Sequence, residues 1–231
     1  MVSRRKPSPS PDSSGLRRPD ADPPSFPPAC SGNVAQLGLA VARTYAPNTL
    51  RTYEFEKADQ QALTSLLAFL VGTSLGRIGD RLGNKSRGWL VLATFAQALC
   101  LMAAALCAHF CGQSSFASSR THTTWTNPTG LAALGFASAS LGIQGIIGKR
   151  LNTQFATAVV LTTTWCELIN DPKLFAVGPS TARDHKVMAV FFLFLGAMIS
   201  RTLIDVIDSP AVLGIGAGLR VIQVVGWLAV P

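Results

Sequence analysis

Charge is what this sequence has least of. Only 14% of its 231 residues are Asp, Glu, Lys or Arg, where an average soluble domain carries about 25%. Eight of the 32 charges lie in the first 28 residues, which leaves 24 for the other 203. That is too few to cover the surface of a water-soluble enzyme of this length. Cysteine is sparse and odd in number, five in all, which excludes a disulfide-stapled secreted module. Histidine is scarcer still: His109, His122 and His185 are scattered, so no histidine metal site or general base is expected. Enzyme motifs are also missing. There is no phosphate-binding glycine loop, no Gly-x-Ser-x-Gly, no His-Glu-x-x-His and no Cys-x-x-Cys. Neither catalysis nor a cofactor is therefore expected. Lys and Arg outnumber Asp and Glu by 20 to 12, yet no stripe of basic residues interleaved with aromatics tracks along the chain, so nucleic acid is not an expected partner.

What the chain does have is apolar length. Hydrophobic residues make up 48% and glycine adds 20 more positions. Uncharged stretches run over 61–76, 88–119, 121–148, 151–166, 187–200 (continuing past Arg201 to 207) and 211–230, the last interrupted by Arg220. A spanning helix needs about 20 mostly apolar residues. Five of the six stretches qualify, and the Thr-rich 151–169 is the short one. A soluble helix would show a polar face every 3.6 residues; WLVLATFAQALCLMAAALCAHF, at 89–110, shows none. The expected fold is an all-α polytopic membrane bundle of five or six spans, with the lipid bilayer as its main partner. Residues 1–28 hold eight of the fourteen prolines and six serines, and composition predicts a disordered basic tail there. Residues 29–231 form the membrane domain.

Orientation follows from the short loops. Arg77, Arg81, Lys85 and Arg87 cluster after the first span, and Lys149 with Arg150 fall on the same side two spans later. That side should face the cytoplasm. By alternation Arg43, Arg51 and Lys57 would lie outside, an unfavourable placement for basic residues that a further membrane segment before residue 43 would relieve. Residues 31–42 (SGNVAQLGLAVA) read as the second half of a membrane helix, and the prolines of SFPPAC forbid extending it backwards.

The body also echoes itself. Phe69-Leu-Val-Gly72-x4-Arg77 matches Leu193-Phe-Leu-Gly196-x4-Arg201 at an offset of 124, with Asp80 and Asp205 following soon after. Each copy precedes one more apolar span. Two related halves are thus expected, a common way to build membrane bundles. The combination of Gly32-Asn33 with Leu37-Gly38, AFLVG at 68–72, and GIQGIIGKRLNTQFATAVVLTTTWCELINDPKLFA near 142–176 resembles the YoaK-like DUF1275 family of multi-span membrane proteins of unknown function, in its fungal branch. The resemblance implies no assigned reaction. It also implies a helix ahead of Ser31-Gly32-Asn33, which here is replaced by Pro-rich sequence, as in an N-terminally shortened copy.

Intramembrane polar residues are the lead to function, since each charge costs roughly 2.5–3.5 kcal/mol at a helix centre unless partnered. Arg201 and Asp205 are one turn apart and can pair. Arg220 has no acid nearby in sequence, and Glu167 or Asp205 would satisfy it. Gln144 stands among glycines that let a neighbouring helix approach. Asn33 closes the Ser-Gly-Asn motif, and Thr162 and Thr164 supply hydroxyls beside Glu167. These eight residues form the candidate site. A polar path for a small solute, moved without ATP, is one reading. Helix locks in a non-transporting scaffold or assembly protein are another, and a nonfunctional truncated product is a third. Cys100, Cys107 and Cys111 share a helical face, but in an Ala-rich helix they read as packing rather than as a metal site. No motif specifies the compartment or the oligomeric state.

Overall fold

The computed structural model describes residues 30–45, 56–83, 86–112, 127–151, 169–170 and 181–229. The expected tail and the Thr-rich segment, with Thr162, Thr164 and Glu167, lie outside the described residues. Within them there is no strand, and the elements are α1 (Cys30–Thr44), α2 (Lys57–Ser74), α3 (Gly76–Leu82), α4 (Arg87–Cys111), α5 (Pro128–Leu151), α6 (Thr181–Ile207) and α7 (Ser209–Ala229). Five rods are long and apolar enough to cross a membrane: α2 with α3, then α4, α5, α6 and α7. At 15 residues, about 22 Å at 1.5 Å per residue, α1 is too short to cross, as a half-helix would be.

The distribution of side chains identifies the solvent. On α4 the large apolar residues Leu92, Phe95, Leu99, Met102, Leu106 and Phe110 are exposed at steps of three and four. Its buried face starts with Trp89 and Leu90 and continues with Ala93, Thr94, Gln97, Ala98, Ala104 and Ala108. Beyond the first turn, large apolar groups outside and small or polar ones inside is the inverse of a water-soluble helix. It is the arrangement expected when lipid tails surround the bundle and close packing of small residues holds it together. The chain is an integral membrane protein.

Neighbours in space follow the order α1, α2, α5, α4, α7, α6. The α2–α5 contact is the tightest. A Cβ at Gly72 would collide with the carbonyl of Ala139, and one at Gly142 with the carbonyl of Phe69, so both glycines are needed for the backbones to approach. Beside them the buried Ser65 and Ser138 hydroxyls hydrogen-bond at 2.8 Å. The break between α2 and α3 is local chemistry: Thr73 and Ser74 turn their hydroxyls onto the carbonyls of Leu70 and Val71, at 2.9 and 2.7 Å. Such back-bonding competes with the helix and bends it; the Leu75 N–H accordingly bonds the carbonyl three residues back, on Gly72. Helix α4 starts on a conventional cap, with Ser86 accepting from the Trp89 N–H.

These contacts also fix direction. Gly72 meets Ala139 and Asp80 pairs with Arg150, so α2–α3 and α5 run parallel. Trp89 and Leu90 cluster with Ile143 and Trp227, while Ala108 and Cys111 cluster with Ala133 and Leu213. Helix α4 is therefore antiparallel to both α5 and α7. The Asp80–Arg150 pair brings the two basic loops to one end of the bundle, as the orientation argument requires. Arg43 sits at the opposite end, where it pairs with Glu56 at 2.7 Å and Asp59 at 3.0 Å. Its unfavourable charge outside is thereby cancelled within the protein.

The internal echo has a structural counterpart. Shifted by 124, residues 57–82 become 181–206, which is α6 to within a residue, and the start of α4 at 87 becomes 211, two residues into α7. In the sequence the same shift carries Arg43 and Asp59 onto positions of opposite charge, Glu167 and Arg183. Because α4 and α7 are antiparallel, the two copies run in opposite senses. Helix α7 follows α6 after a single residue, Asp208, whose positive φ of 69° makes the turn; Asp tolerates that region better than most side chains.

Candidate intramembrane polar site

Helices α5 and α7 flank α4 without their own backbones approaching within 8 Å. The gap is bridged by side chains. Arg220 is eleven residues from the start of α7 and nine from its end, which puts its Cα about 14 Å from the nearer end and close to the centre of a hydrocarbon layer about 30 Å thick. Its guanidinium donates to Gln144 Oε1 of α5 at 2.5 Å and to Gln223 Oε1, one turn along α7, at 2.8 Å. Arg220 is half-buried and Gln223 exposed. Below this bridge, Ser140 of α5 approaches the Gln97 carbonyl of α4 at 3.5 Å, and the Gln97 side-chain oxygen is buried with no partner among the described residues.

Of the two acids expected to pair with Arg220, only Asp205 is among the described residues. It does not reach Arg220. Asp205 lies near the α6–α7 turn, about 16 Å along α7 from Arg220 by helical rise, and pairs instead with Arg201 at 3.3 Å across one turn of α6. Both members of that pair are exposed. Glu167 lies outside the described residues, and so do Thr162 and Thr164. No carboxylate among the described residues contacts Arg220; its acceptors are two neutral amides.

Asn33 is also separate. It is buried on α1, which among the described helices packs on α2 alone, and its Nδ2 finds no partner among the described residues. Of the described candidates, then, the fold unites Gln144 with Arg220, keeps Arg201 with Asp205 on the outer helix, and leaves Asn33 at the far side. They do not converge on one cavity. The cysteines divide as well: Cys100 packs with the Trp89 cluster, and Cys107 and Cys111 with the Ala133 cluster.

Sequence reasoning missed four polar features. Gln97 is the one amide in an otherwise apolar stretch, a signal that was present. Gln223, three residues after Arg220, could have been found from helical spacing. The Ser65–Ser138 contact joins positions 73 apart and had no local mark. The Arg43–Asp59 pair is the strongest of the four. Asp59 is only 2% exposed, and one guanidinium nitrogen of Arg43 holds both its oxygens, at 3.0 and 3.2 Å. Hydrogen bonding to Glu56 pushes Arg43 further above its already high ordinary pKa; burial opposes this and Asp59 adds to it.

No curated protein and no solved structure matches the chain. Residues 25–226 do match a family model described as "Protein of unknown function (DUF1275)". That span takes in every described helix but the last turn of α7, and on it the chain belongs to the DUF1275 family of proteins of unknown function.

Proposed function

We propose that this protein binds a small polar solute between α5 and α7 and moves it across the membrane without ATP. The observation that carries the reading is Arg220, a full charge near mid-membrane held by two neutral amides. Leaving such a group in hydrocarbon costs roughly 2.5–3.5 kcal/mol, and a helix lock could be made more cheaply from serines, as at Ser65–Ser138. The antiparallel relation of α4 and α7 supports it. Inverted repeats with a polar site near mid-membrane at their interface are a recurrent plan among secondary transporters. No catalytic step is assigned to the site.

The test is counterflow in liposomes containing the purified protein, with labelled amino acids, sugars and organic acids. Uptake of at least one class without nucleotide, reduced in Arg220→Gln, is the expected result. Equal uptake by protein-free liposomes across the panel would overturn the proposal.

A second reading, a membrane assembly partner, is favoured by α6. None of its apolar window is buried, and Phe191, Phe192 and Phe194 are all exposed. On that reading, substitutions at these phenylalanines disturb the protein's associations while Arg220→Gln leaves them unchanged.

A further inference from the structure

The solute class can be narrowed, on the understanding that this rests on the transport reading above. We infer that the α5–α7 site takes a small oxyanion, a carboxylate or phosphate group, against the Arg220 guanidinium. The inference comes from the balance of donors and acceptors. A guanidinium has five N–H groups and accepts nothing. Two of its bonds go to the Gln144 and Gln223 oxygens, which leaves three N–H groups without a partner among the described residues. Those same bonds engage the oxygen of each amide and leave both NH2 groups as free donors. Around Arg220 donors thus outnumber acceptors: three guanidinium N–H groups and the two amide NH2 groups stand against one remaining lone pair on each amide oxygen, and the cluster bears a net positive charge. An occupant that completes it must be rich in acceptors and negative. A neutral polyol would leave the charge uncompensated, and a cation would be repelled.

Position separates a solute from a lipid headgroup. Arg220 lies about 14 Å by helical rise from the end of α7, at a depth that phosphates of the bilayer surface do not occupy. Geometry favours planar oxyanions, which a guanidinium binds through two parallel bonds that an ammonium cannot make. Since Arg stays protonated throughout the accessible pH range, the site holds its charge without a titration.

The experiment uses the full chain in phosphatidylcholine nanodiscs at constant ionic strength in potassium chloride. Succinate, inorganic phosphate and uncharged succinamide are titrated while the thermal unfolding midpoint is followed. The expected result is a saturable rise with succinate or phosphate and none with succinamide. Arg220→Gln should raise the apparent Kd at least tenfold, and Arg220→Lys should weaken succinate more than phosphate. Should Arg220→Gln fail to fold, Arg220→Lys carries the test through that difference. Equal response to succinate and succinamide, or a response that survives Arg220→Gln, overturns the inference. So does an anion response absent from the native protein that emerges only in Glu167→Gln, because the chain's own carboxylate would then fill the site. Suppression of the response by phosphatidylglycerol nanodiscs would assign the site to lipid and overturn it too. Liposome uptake separates the two levels. Binding of succinate with no uptake of any solute sustains the oxyanion site and sinks transport; uptake of an uncharged solute without anion binding does the reverse.

Discussion

Gly72 and Gly196 occupy the same place in the repeated motif, yet replacing each with Ala should have opposite effects. At Gly72 the added methyl lands on the Ala139 carbonyl, with the Ala139 carbonyl carbon at 2.9 Å and its Cα at 3.0 Å. These are backbone atoms of a packed helix and cannot rotate aside, so α2 and α5 must separate. Overpacking of this kind costs about 1–3 kcal/mol, and the Ser65–Ser138 bond two turns away stands to lose up to about 1 kcal/mol more. Better helix propensity returns about 0.8–1 kcal/mol for Gly→Ala. The net expectation at Gly72 is a loss of up to about 3 kcal/mol. At Gly196 nothing lies within 4 Å of the new Cβ, so the propensity gain is unopposed and stability should be unchanged or up to about 1 kcal/mol higher. The propensity gain is common to both variants, so they should differ by the packing terms alone, about 1–4 kcal/mol. Reversible SDS titration of protein in mixed micelles, followed by circular dichroism, measures both. Equal stabilities, or a greater loss at Gly196, would refute the packing described for α2 and α6.

Other expectations follow from the ion pairs and the topology. Arg43→Gln strands the buried Asp59 and should cost about 2–4 kcal/mol, at the low side of a fully buried pair because Arg43 is a third exposed; Asp59→Asn should recover much of this in the double variant, and additive losses would count against the pair. Ser65→Ala and Ser138→Ala should each cost about 1 kcal/mol and together little more than either alone, as read by the same titration. Helix α5 ends at the Asp80–Arg150 end of the bundle, and a crossing α6 that meets α7 at the other end must begin there too. Single cysteines at positions 150 and 184, in a chain whose native cysteines are replaced, should then react with an impermeant maleimide from the same side of sealed vesicles; labelling from opposite sides would break the inverted relation of the two halves.

Much of this protein was legible before any fold was known. Low charge and long uncharged stretches determine that lipid is the solvent, because a helix apolar on every side has nowhere else to go. The five spans, the short α1 and the shared side of the Arg77–Arg87 and Lys149–Arg150 clusters all follow from patterns within a few tens of residues. The Arg201–Asp205 pair was legible for the same reason, since both charges lie on one helix one turn apart.

Partnership between helices was not legible, because it depends on direction and rotation that local spacing does not encode. The sequence marked Arg220 as a charge in need of a partner, but only the tertiary structure decided that the partners are the amides of Gln144 and Gln223 rather than Asp205. It also made Gly72 a crossing point while leaving its sequence twin Gly196 open. A motif specifies which surface a helix offers. Whether that surface meets backbone, a side chain or lipid is set by the neighbour that packs on it, here α5 for one copy and nothing among the described residues for the other.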